Sequence, residues 1–349
     1  MVMLSFAGMV IPRLLIAPFV KTRPSRVLIS GAGELGRDFC ARIEGRKGFE
    51  QAGNFEVVGF LDCDPERAGQ EIFGHKVLGC LCSSDDDFIE TLEVDVVVLC
   101  AEKDLKKEEA SVYLNLPLKG IEVLTKAAFI EQYYKEVSVR YSNPHSFAAY
   151  PSLPGNASIF AFKRLVDIFG ALAGLVMTIL IWPVLAVAIK LDSPGPILFK
   201  QIRVGFHGRN FEILKFRTMG QDAEKDGAKW AVKGDLRVTR IGKILRVSRL
   251  DELPQLINVL RGDMSLVGPR PERPEFVSDL AKEIPFFERR HMVPPGLTGW
   301  AQICYRYGAS VDDAQRKLQF DLYYIRHLSP GLDLKILLKT VPMMMKGSR

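Results

Sequence analysis

Between Ile168 and Ile189 the chain runs for 22 residues without one charged side chain, Ile-Phe-Gly-Ala-Leu-Ala-Gly-Leu-Val-Met-Thr-Ile-Leu-Ile-Trp-Pro-Val-Leu-Ala-Val-Ala-Ile. A helix of that length reaches the roughly 30 Å that cross a bilayer's hydrocarbon, and a buried helix of a water-soluble protein seldom needs it. Lys163 and Arg164 flank one end and Lys190 the other, so the charge bias gives neither end a reason to face out. Pro183 removes an internal hydrogen bond about two-thirds along. The sequence therefore predicts a helix over about 165–190 that kinks at Pro183 and returns on the face it entered, with a full span as the alternative.

The stretch before it has another character. Arg26 to Ser30 and Phe55 to Leu61 read as strands, Glu34 to Arg46 as a helix, Val94 to Cys100 as a more buried strand and Gly120 to Leu124 as a fourth. Such alternation predicts a parallel sheet covered by helices. From Tyr141 to Asn156 the text turns to Ser, Asn, Gly and the prolines 144, 151 and 154, which is linker chemistry. A chain of 349 residues is too long for one ordinary core, so the expected division is a first domain at 25–145, a linker at 146–160 and a second domain at 161–349. Residues 1–24 are apolar but broken by Pro12, Arg13 and Pro18. They lack the features of a signal peptide and read as a membrane remnant or an interfacial segment.

A net charge of +6 suits anionic partners: nucleic acid, an acidic lipid surface or phosphorylated substrates. No helix-turn-helix, zinc finger or aromatic RNA-binding motif accompanies the charge, so a nucleic-acid partner is not expected. Cys40, Cys63, Cys80, Cys82 and Cys100 show no paired C-x-x-C spacing and read as free thiols in a reducing compartment.

Gly31-Ala32-Gly33-Glu34-Leu35-Gly36 follows a strand and opens a helix, where free N–H groups can receive a pyrophosphate. Asp62 ends the second strand, where an acid can bond a ribose hydroxyl. Gly31, Gly33, Gly36 and Asp62 are thus the candidate nucleotide site. A binding or regulatory role, a relic that binds nothing and an oxidoreductase all remain open, although no tyrosine has lysine four positions on, as the last would require.

From Lys200 to Arg249 basic residues outnumber acidic ones, including Lys215, Arg217 and Arg246. They form either a face on anionic headgroups or a grip on diphosphate oxygens. In Ser248-Arg249-Leu250-Asp251-Glu252-Leu253-Pro254-Gln255, either Ser248 or Asp251 caps a helix, or Asp251 and Glu252 divide a nucleophile's and a metal partner's work. Gly268-Pro269-Arg270-Pro271 is a rigid turn presenting Arg270, and Pro294-Pro295-Gly296-Leu297-Thr298-Gly299-Trp300 is another, whose tryptophan suits a membrane interface or a ring stack.

These motifs resemble, in order and spacing, the bacterial sugar transferases, monotopic polyprenyl-phosphate phosphoglycosyl transferases that start exopolysaccharide and O-antigen synthesis. The resemblance covers about residues 160–346, through Lys163-Arg164-Leu165-Val166-Asp167, Lys215-Phe216-Arg217-Thr218-Met219, Leu250 to Leu256, Gly262 to Pro271 and Gly296 to Gln302. Tyr305 to Ala314 looks like the exopolysaccharide branch, including members linked to exosortase systems. The first domain resembles the Rossmann-like domain of the longer members. The implied class is α/β: an N-terminal Rossmann-like parallel-sheet domain, a re-entrant membrane helix and a compact α-rich catalytic domain.

The resemblance implies a two-step reaction of a UDP-sugar with polyprenyl (undecaprenyl) phosphate at the bacterial inner membrane, on its cytoplasmic side. Asp251 would be the nucleophile, Glu252 its partner, and both would hold Mg²⁺; Arg246 and Arg270 would bind phosphate, with Lys215 and Arg217 beside them. Trp182 stands before the helix-breaking proline where many members have Ser. The competing class is a nucleotide-sensing membrane scaffold without transferase activity. The sugar, the ligand of the first domain and dimerisation are left open.

Overall fold

Val27, Leu28 and Ile29 are consecutive, β-branched or apolar, and wholly buried, which a strand achieves only when both faces of its sheet are covered. In the computed structural model they lie in the central strand of the first of two units, Met1–Tyr134 and Lys135–Arg349. The structure describes residues 23–45, 54–81, 87–100, 107–139, 157–220, 223, 235–305, 308 and 310–345. The apolar segment 1–22 and the whole turn-rich stretch 141–156 lie outside these. The units divide after Tyr134, ahead of that stretch.

In the first unit, β1 (Ser25–Ser30) leads to α1 (Glu34–Ile43), β2 (Phe55–Leu61), a short hairpin of β3 (Glu71–Ile72) and β4 (His75–Lys76), α2 (Asp87–Thr91), β5 (Val96–Leu99), α3 (Lys107–Asn115), β6 (Glu122–Thr125) and α4 (Lys126–Phe129). The main sheet has the order β2-β1-β5-β6, parallel throughout. Val27 and Ile29 pack with Phe39, Phe60 and Phe129 on one face, while Leu28, Leu61 and Val97 meet Tyr113 and Ile121 on the other. Phe39 and Phe129 meet edge to face at 5.1 Å, and burying each such ring is worth about 1.5–3 kcal/mol. This is the parallel, helix-covered sheet that the alternation of strands and helices predicts.

The cysteines depart from expectation. Cys63 and Cys80 form a disulfide across a sequence separation of 17, while Cys40 and Cys100 are buried thiols outside any disulfide, as predicted, and Cys82 lies outside the described residues. Spacing could not reveal the pair, because the β3–β4 excursion folds the chain back until the two Cα atoms are 4.3 Å apart.

The second unit begins with α5 (Ala157–Thr178) and α6 (Ile181–Asp192), bent by 65° at the break between them. No single described helix is long and apolar enough to cross a membrane, while the two arms of the bent pair together reach that length and apolarity. The break falls at 179–180, earlier than Pro183, because proline costs nothing in the first turn of a new helix, where its missing N–H has no partner to lose. Trp182 Nε1 donates to Thr178 Oγ1 at 3.3 Å, clasping the break from the far side. Phe169, Val176, Met177, Leu180, Val184 and Leu191 are exposed along the pair.

After the pair come the antiparallel β7 (Leu198–Val204) and β8 (Asn210–Phe216), α7 (Arg240–Ser248), α8 (Gln255–Arg261), β9 (Ser265–Val267), α9 (Pro274–Glu283), β10 (Gly296–Thr298), α10 (Trp300–Cys304), α11 (Val311–Arg326) and α12 (Pro330–Met345). Gly170 and Gly174, one turn apart, let α5 lie against Leu266 and Leu256, whose side chains a Cβ would meet at 2.5 and 3.0 Å. Gly268 and Gly296 serve a backbone crossing between parallel β9 and β10, since a Cβ on Gly296 would stand 2.0 Å from Gly268 N. The glycines of both rigid turns are explained by this contact.

The polar residues at the start of α5 anchor it. Lys163 Nζ donates to Val267 O and Asp333 Oδ2, both at 2.8 Å. Arg164 donates to Val259 O and Leu260 O at 2.5 and 2.7 Å, carbonyls in the last turn of α8 that have no partner within the helix. Asp167 Oδ1 accepts from Ser265 Oγ and Leu266 N. Trp300 is buried, donates from Nε1 to Lys135 O at 2.9 Å and sets its ring 6.0 Å from that of Tyr323 at a tilt of 32°, so it packs inside this unit.

Candidate active site

Thr239 caps α7, its Oγ1 accepting from Gly242 N at 3.0 Å, and Asp192 Oδ2 accepts from Ile241 N at 2.9 Å. The start of α7 is thereby tied to the end of α6. At its other end Arg249 takes the left-handed conformation at φ 61°, a strain of about 1–2 kcal/mol in a residue with a Cβ. The turn is followed at once by the 3-10 segment Leu250–Glu252, which carries Asp251 and Glu252. Strain held next to paired carboxylates fits a built site.

Neither half of the helix-cap alternative describes the geometry. Ser248 Oγ donates backward to Ile244 O, and the N-cap position of α8 is Pro254 with no side-chain cap. Among the described residues Asp251 makes no side-chain hydrogen bond to a helix N–H.

Both carboxylates are buried, with 8% of each residue exposed, a costly placement unless cations surround them. They do. Arg270 Nη2 donates to Glu252 Oε1 at 2.5 Å, Arg249 Nη1 lies 3.7 Å from that oxygen and Lys215 Nζ 3.9 Å. Burial alone would raise Glu252, but Arg270, then Lys215 and Arg249, outweigh it and hold the carboxyl down at about 2. Asp251 is shifted the opposite way: burial and the charge of Glu252 raise it, and Lys215, Arg270 and Arg246 offset this only in part. Lys215 is itself lowered to about 8 by burial and by Arg270, although the carboxylates pull it up. For this coupled pair the secure direction is an ionised Glu252, since three cations converge on one of its oxygens.

The Lys215-Phe216-Arg217-Thr218-Met219 motif divides its labour by strand alternation. Lys215 faces Glu252, while Phe216 packs edge to face on Trp182 at 5.2 Å. Thr218 Oγ1 accepts from Arg246 Nε at 2.9 Å, fixing a guanidinium whose charge reaches Asp251.

Arg217 is not brought to the dyad, contrary to expectation. It is buried, and its guanidinium donates to Ser193 O at 2.6 Å, Pro194 O at 2.8 Å and Ser193 Oγ at 3.0 Å. Carbonyls beyond the end of α6 need a donor, and Arg217 supplies it.

Other contributors escape the sequence reading. Arg249 was one basic residue among many, and only its turn aims it at Glu252. Arg290 donates to Arg270 O at 2.9 Å and to Asp321 Oδ2 at 2.8 Å, holding from behind the loop that presents Arg270. Burial lifts Asp321 to about 6 even against the pull of Arg290. The only advance sign was an acid inside the apolar stripe of α11. Asn258, wholly buried, joins β8 to α8 by accepting from Leu214 N and donating to Glu212 O.

In the first unit, Gly31 has φ 108° and Gly36 lies where a Cβ would overlap Gly31 O, so the glycine loop is built as its spacing predicts. Gly33 precedes α1 as its N-cap. Asp62 Oδ2 accepts from Ala32 N at 2.8 Å and from Arg67 Nη1 at 3.0 Å. The acid expected to meet a ribose thus already braces the loop.

The sequence comparisons concern the second unit. A relative from Aeromonas hydrophila, a UDP-N-acetylgalactosamine-undecaprenyl-phosphate N-acetylgalactosaminephosphotransferase, is 49% identical over 190 residues, covering 54% of this chain and 45% of that protein. A UDP-glucose:undecaprenyl-phosphate glucose-1-phosphate transferase from Caulobacter vibrioides is 46% identical over 185 residues, 52% of this chain and 68% of the relative. The uncharacterized sugar transferase EpsL of Bacillus subtilis is 40% identical over 181 residues, 51% of this chain and 85% of that protein. This chain therefore spans less than half of the first of these relatives.

Among solved structures, UDP-D-quinovosamine 4-dehydrogenase from Vibrio fischeri aligns with 33% of this chain and 88% of its own at 19% identity, but its TM-score of 0.25 carries no argument. The family model described as bacterial sugar transferase matches residues 158–347, the stretch that holds the bent helix pair, the buried dyad and its cations. The chain belongs to the bacterial sugar transferase family.

Proposed function

We propose that the second unit moves a sugar 1-phosphate from a UDP-sugar to undecaprenyl phosphate through a covalent intermediate on Asp251. The observation that carries this reading is one buried acidic pair in which Arg270, Lys215 and Arg249 hold Glu252 ionised while burial and the charge of Glu252 shift Asp251 the other way. An Asp251 oxygen attacks the sugar-bearing phosphorus, the bond from that phosphorus to the bridging oxygen breaks, and UMP leaves with the electron pair. An oxygen of the lipid phosphate then attacks the same phosphorus and the Asp251 oxygen departs, restoring the carboxylate. Arg246 and Arg270 stand where diphosphate charge would accumulate, and stabilising such charge is most of what phosphoryl transfer asks of a protein.

The donor set suits Mg²⁺. Asp251 and the Glu252 oxygen turned away from Arg270 are hard ligands, and Mg²⁺ typically takes one or two carboxylates together with substrate phosphates. The four cations around the pair make the site too positive for the metal alone, so metal and diphosphate would arrive together. When bound, the ion would neutralise phosphate charge.

Exposed apolar side chains on both arms of the bent pair support a re-entrant membrane anchor, with the dyad on the cytoplasmic side of the bacterial inner membrane. A cleft of about 900 Å³ lined by Ile179, Trp182, Pro183, Pro196, Phe199 and Phe216 opens at the bend and suits the lipid's isoprenoid chain. Exopolysaccharide initiation is the role proposed for the product.

The test is UMP release by the detergent-purified protein from a panel of UDP-sugars, with undecaprenyl phosphate as acceptor. Activity should need Mg²⁺ and vanish in Asp251→Asn, and a phosphosugar adduct should map to Asp251. Full activity in that variant refutes the nucleophile.

A further inference from the structure

The first unit holds a side-chain cluster that the transferase reaction does not use. α1 places Cys40 and Glu44 one turn apart on the same side of the helix, Cys40 wholly buried and Glu44 at its C-terminal end. Facing them, the β3–β4 hairpin turns through Phe73 and Gly74, at φ 56° and 92°, the pattern of a tight two-residue hairpin. That turn delivers His75. Its Nε2 lies 2.7 Å from Glu44 Oε1, and ligand atoms of Cys40, Glu44 and His75 all fall within 4.8 Å of one another.

We infer that Cys40, Glu44 and His75 form a zinc-class metal site, with a thiolate, a carboxylate and an imidazole as three ligands and the fourth position open to water. In a tetrahedral zinc site with bonds of about 2.0–2.3 Å the ligand atoms stand roughly 3.3–3.8 Å apart, so the widest pair need close by about 1 Å at most while His75 Nε2 and Glu44 Oε1, now in hydrogen-bond contact, open by about 0.6 Å or more. Charge favours the assignment, because a thiolate, a carboxylate and a neutral imidazole carry two negative charges, which one divalent ion cancels. A neutral centre is what this half-buried setting tolerates. The thiolate and imidazole select zinc, cobalt or cadmium over magnesium, so the site would not compete for the ion proposed at the dyad.

On binding, the Cys40 S–H bond breaks, its proton passes to solvent and a sulfur–metal bond forms, while His75 and Glu44 exchange their mutual hydrogen bond for the ion. The metal then ties the hairpin to α1, joining segments 31 residues apart.

The experiment uses the full-length protein in detergent, stripped with a chelator and titrated with Co²⁺. One equivalent should bind with a thiolate-to-cobalt charge-transfer band, be displaced by Zn²⁺ and resist excess Mg²⁺. Cys40→Ser should remove the band, and His75→Ala should weaken binding by about tenfold or more, since a ligand lost costs at least what a supporting shell does. His75 is only half-buried, so that variant carries the test if Cys40→Ser fails to fold. No bound equivalent, a band that survives Cys40→Ser or unchanged affinity in His75→Ala would overturn the site and leave an ion pair beside a core thiol.

Discussion

Arg217 offers the sharpest separation between structural and substrate-binding roles, so consider Arg217→Met, which keeps most of the stem and removes the guanidinium. The wild-type side chain donates to Ser193 O at 2.6 Å and Pro194 O at 2.8 Å from a buried position. A hydrogen bond with one charged partner contributes about 1.5–3 kcal/mol, so losing two puts the cost at about 3–6 kcal/mol. Ser193 is half-buried and Pro194 exposed, so water can replace some of the lost donors, which favours the lower end. At about 2–4 °C per kcal/mol for a domain of this size, the expected fall in Tm is about 6–12 °C. Tryptophan fluorescence reports it directly, since Trp182 packs on Phe216 next door. KM for the UDP-sugar, measured well below the transition, should not change. An unaltered Tm with KM raised about tenfold would refute the reasoning and return Arg217 to the phosphate.

Other outcomes follow from the same geometry. Because Asp251 is raised by burial and by Glu252, the acid limb of the UMP-release profile should lie above the ordinary aspartate range. Arg270→Gln removes a charge that lowers both carboxyls, so the limb should move to still higher pH; movement to lower pH would contradict the assignment. Glu252 is depressed to about 2, so its stabilising contribution is present above pH 4.5 and lost as pH falls from there toward 2; Glu252→Gln should flatten that part of the stability profile. Alkylation of the denatured protein should find two additional thiols after reduction, at Cys63 and Cys80, and reduction should cost about 3 kcal/mol for a loop of this length. Equal thiol counts before and after would dismiss the disulfide. Single cysteines placed by Phe160→Cys and Lys200→Cys should label from the same side of sealed vesicles, and opposite sides would mean a full span.

Strands and apolar helices were legible because their signals are local. β2 falls on the expected residues 55–61, and β1 occupies 25–30 where a strand is expected over 26–30. The bend was legible as an event but not in place, since Pro183 marks where a helix can restart, and the break lies just before it. Asp251, Glu252, Arg246, Arg270 and Lys215 were all named from sequence, and the structure brings them together. Arg217 stands apart from them on backbone carbonyls, a placement the sequence does not show because an arginine's donors look the same whether they meet a substrate or the chain's own carbonyls. Arg290 and Asp321 were invisible for a related reason: their partners are a backbone oxygen and each other, contacts 20 and 31 residues away along the chain.

The polar root of α5 has a mechanical consequence. Arg164 grips the final carbonyls of α8, the helix that leaves the dyad, and Lys163 and Asp167 hold the strand beside it. The bent pair and the dyad are thus parts of one strut. On the membrane anchoring proposed above, the height of Asp251 over the bend is set by a few short bonds rather than by any linker, so a thicker or thinner bilayer would tilt this unit and leave that height unchanged.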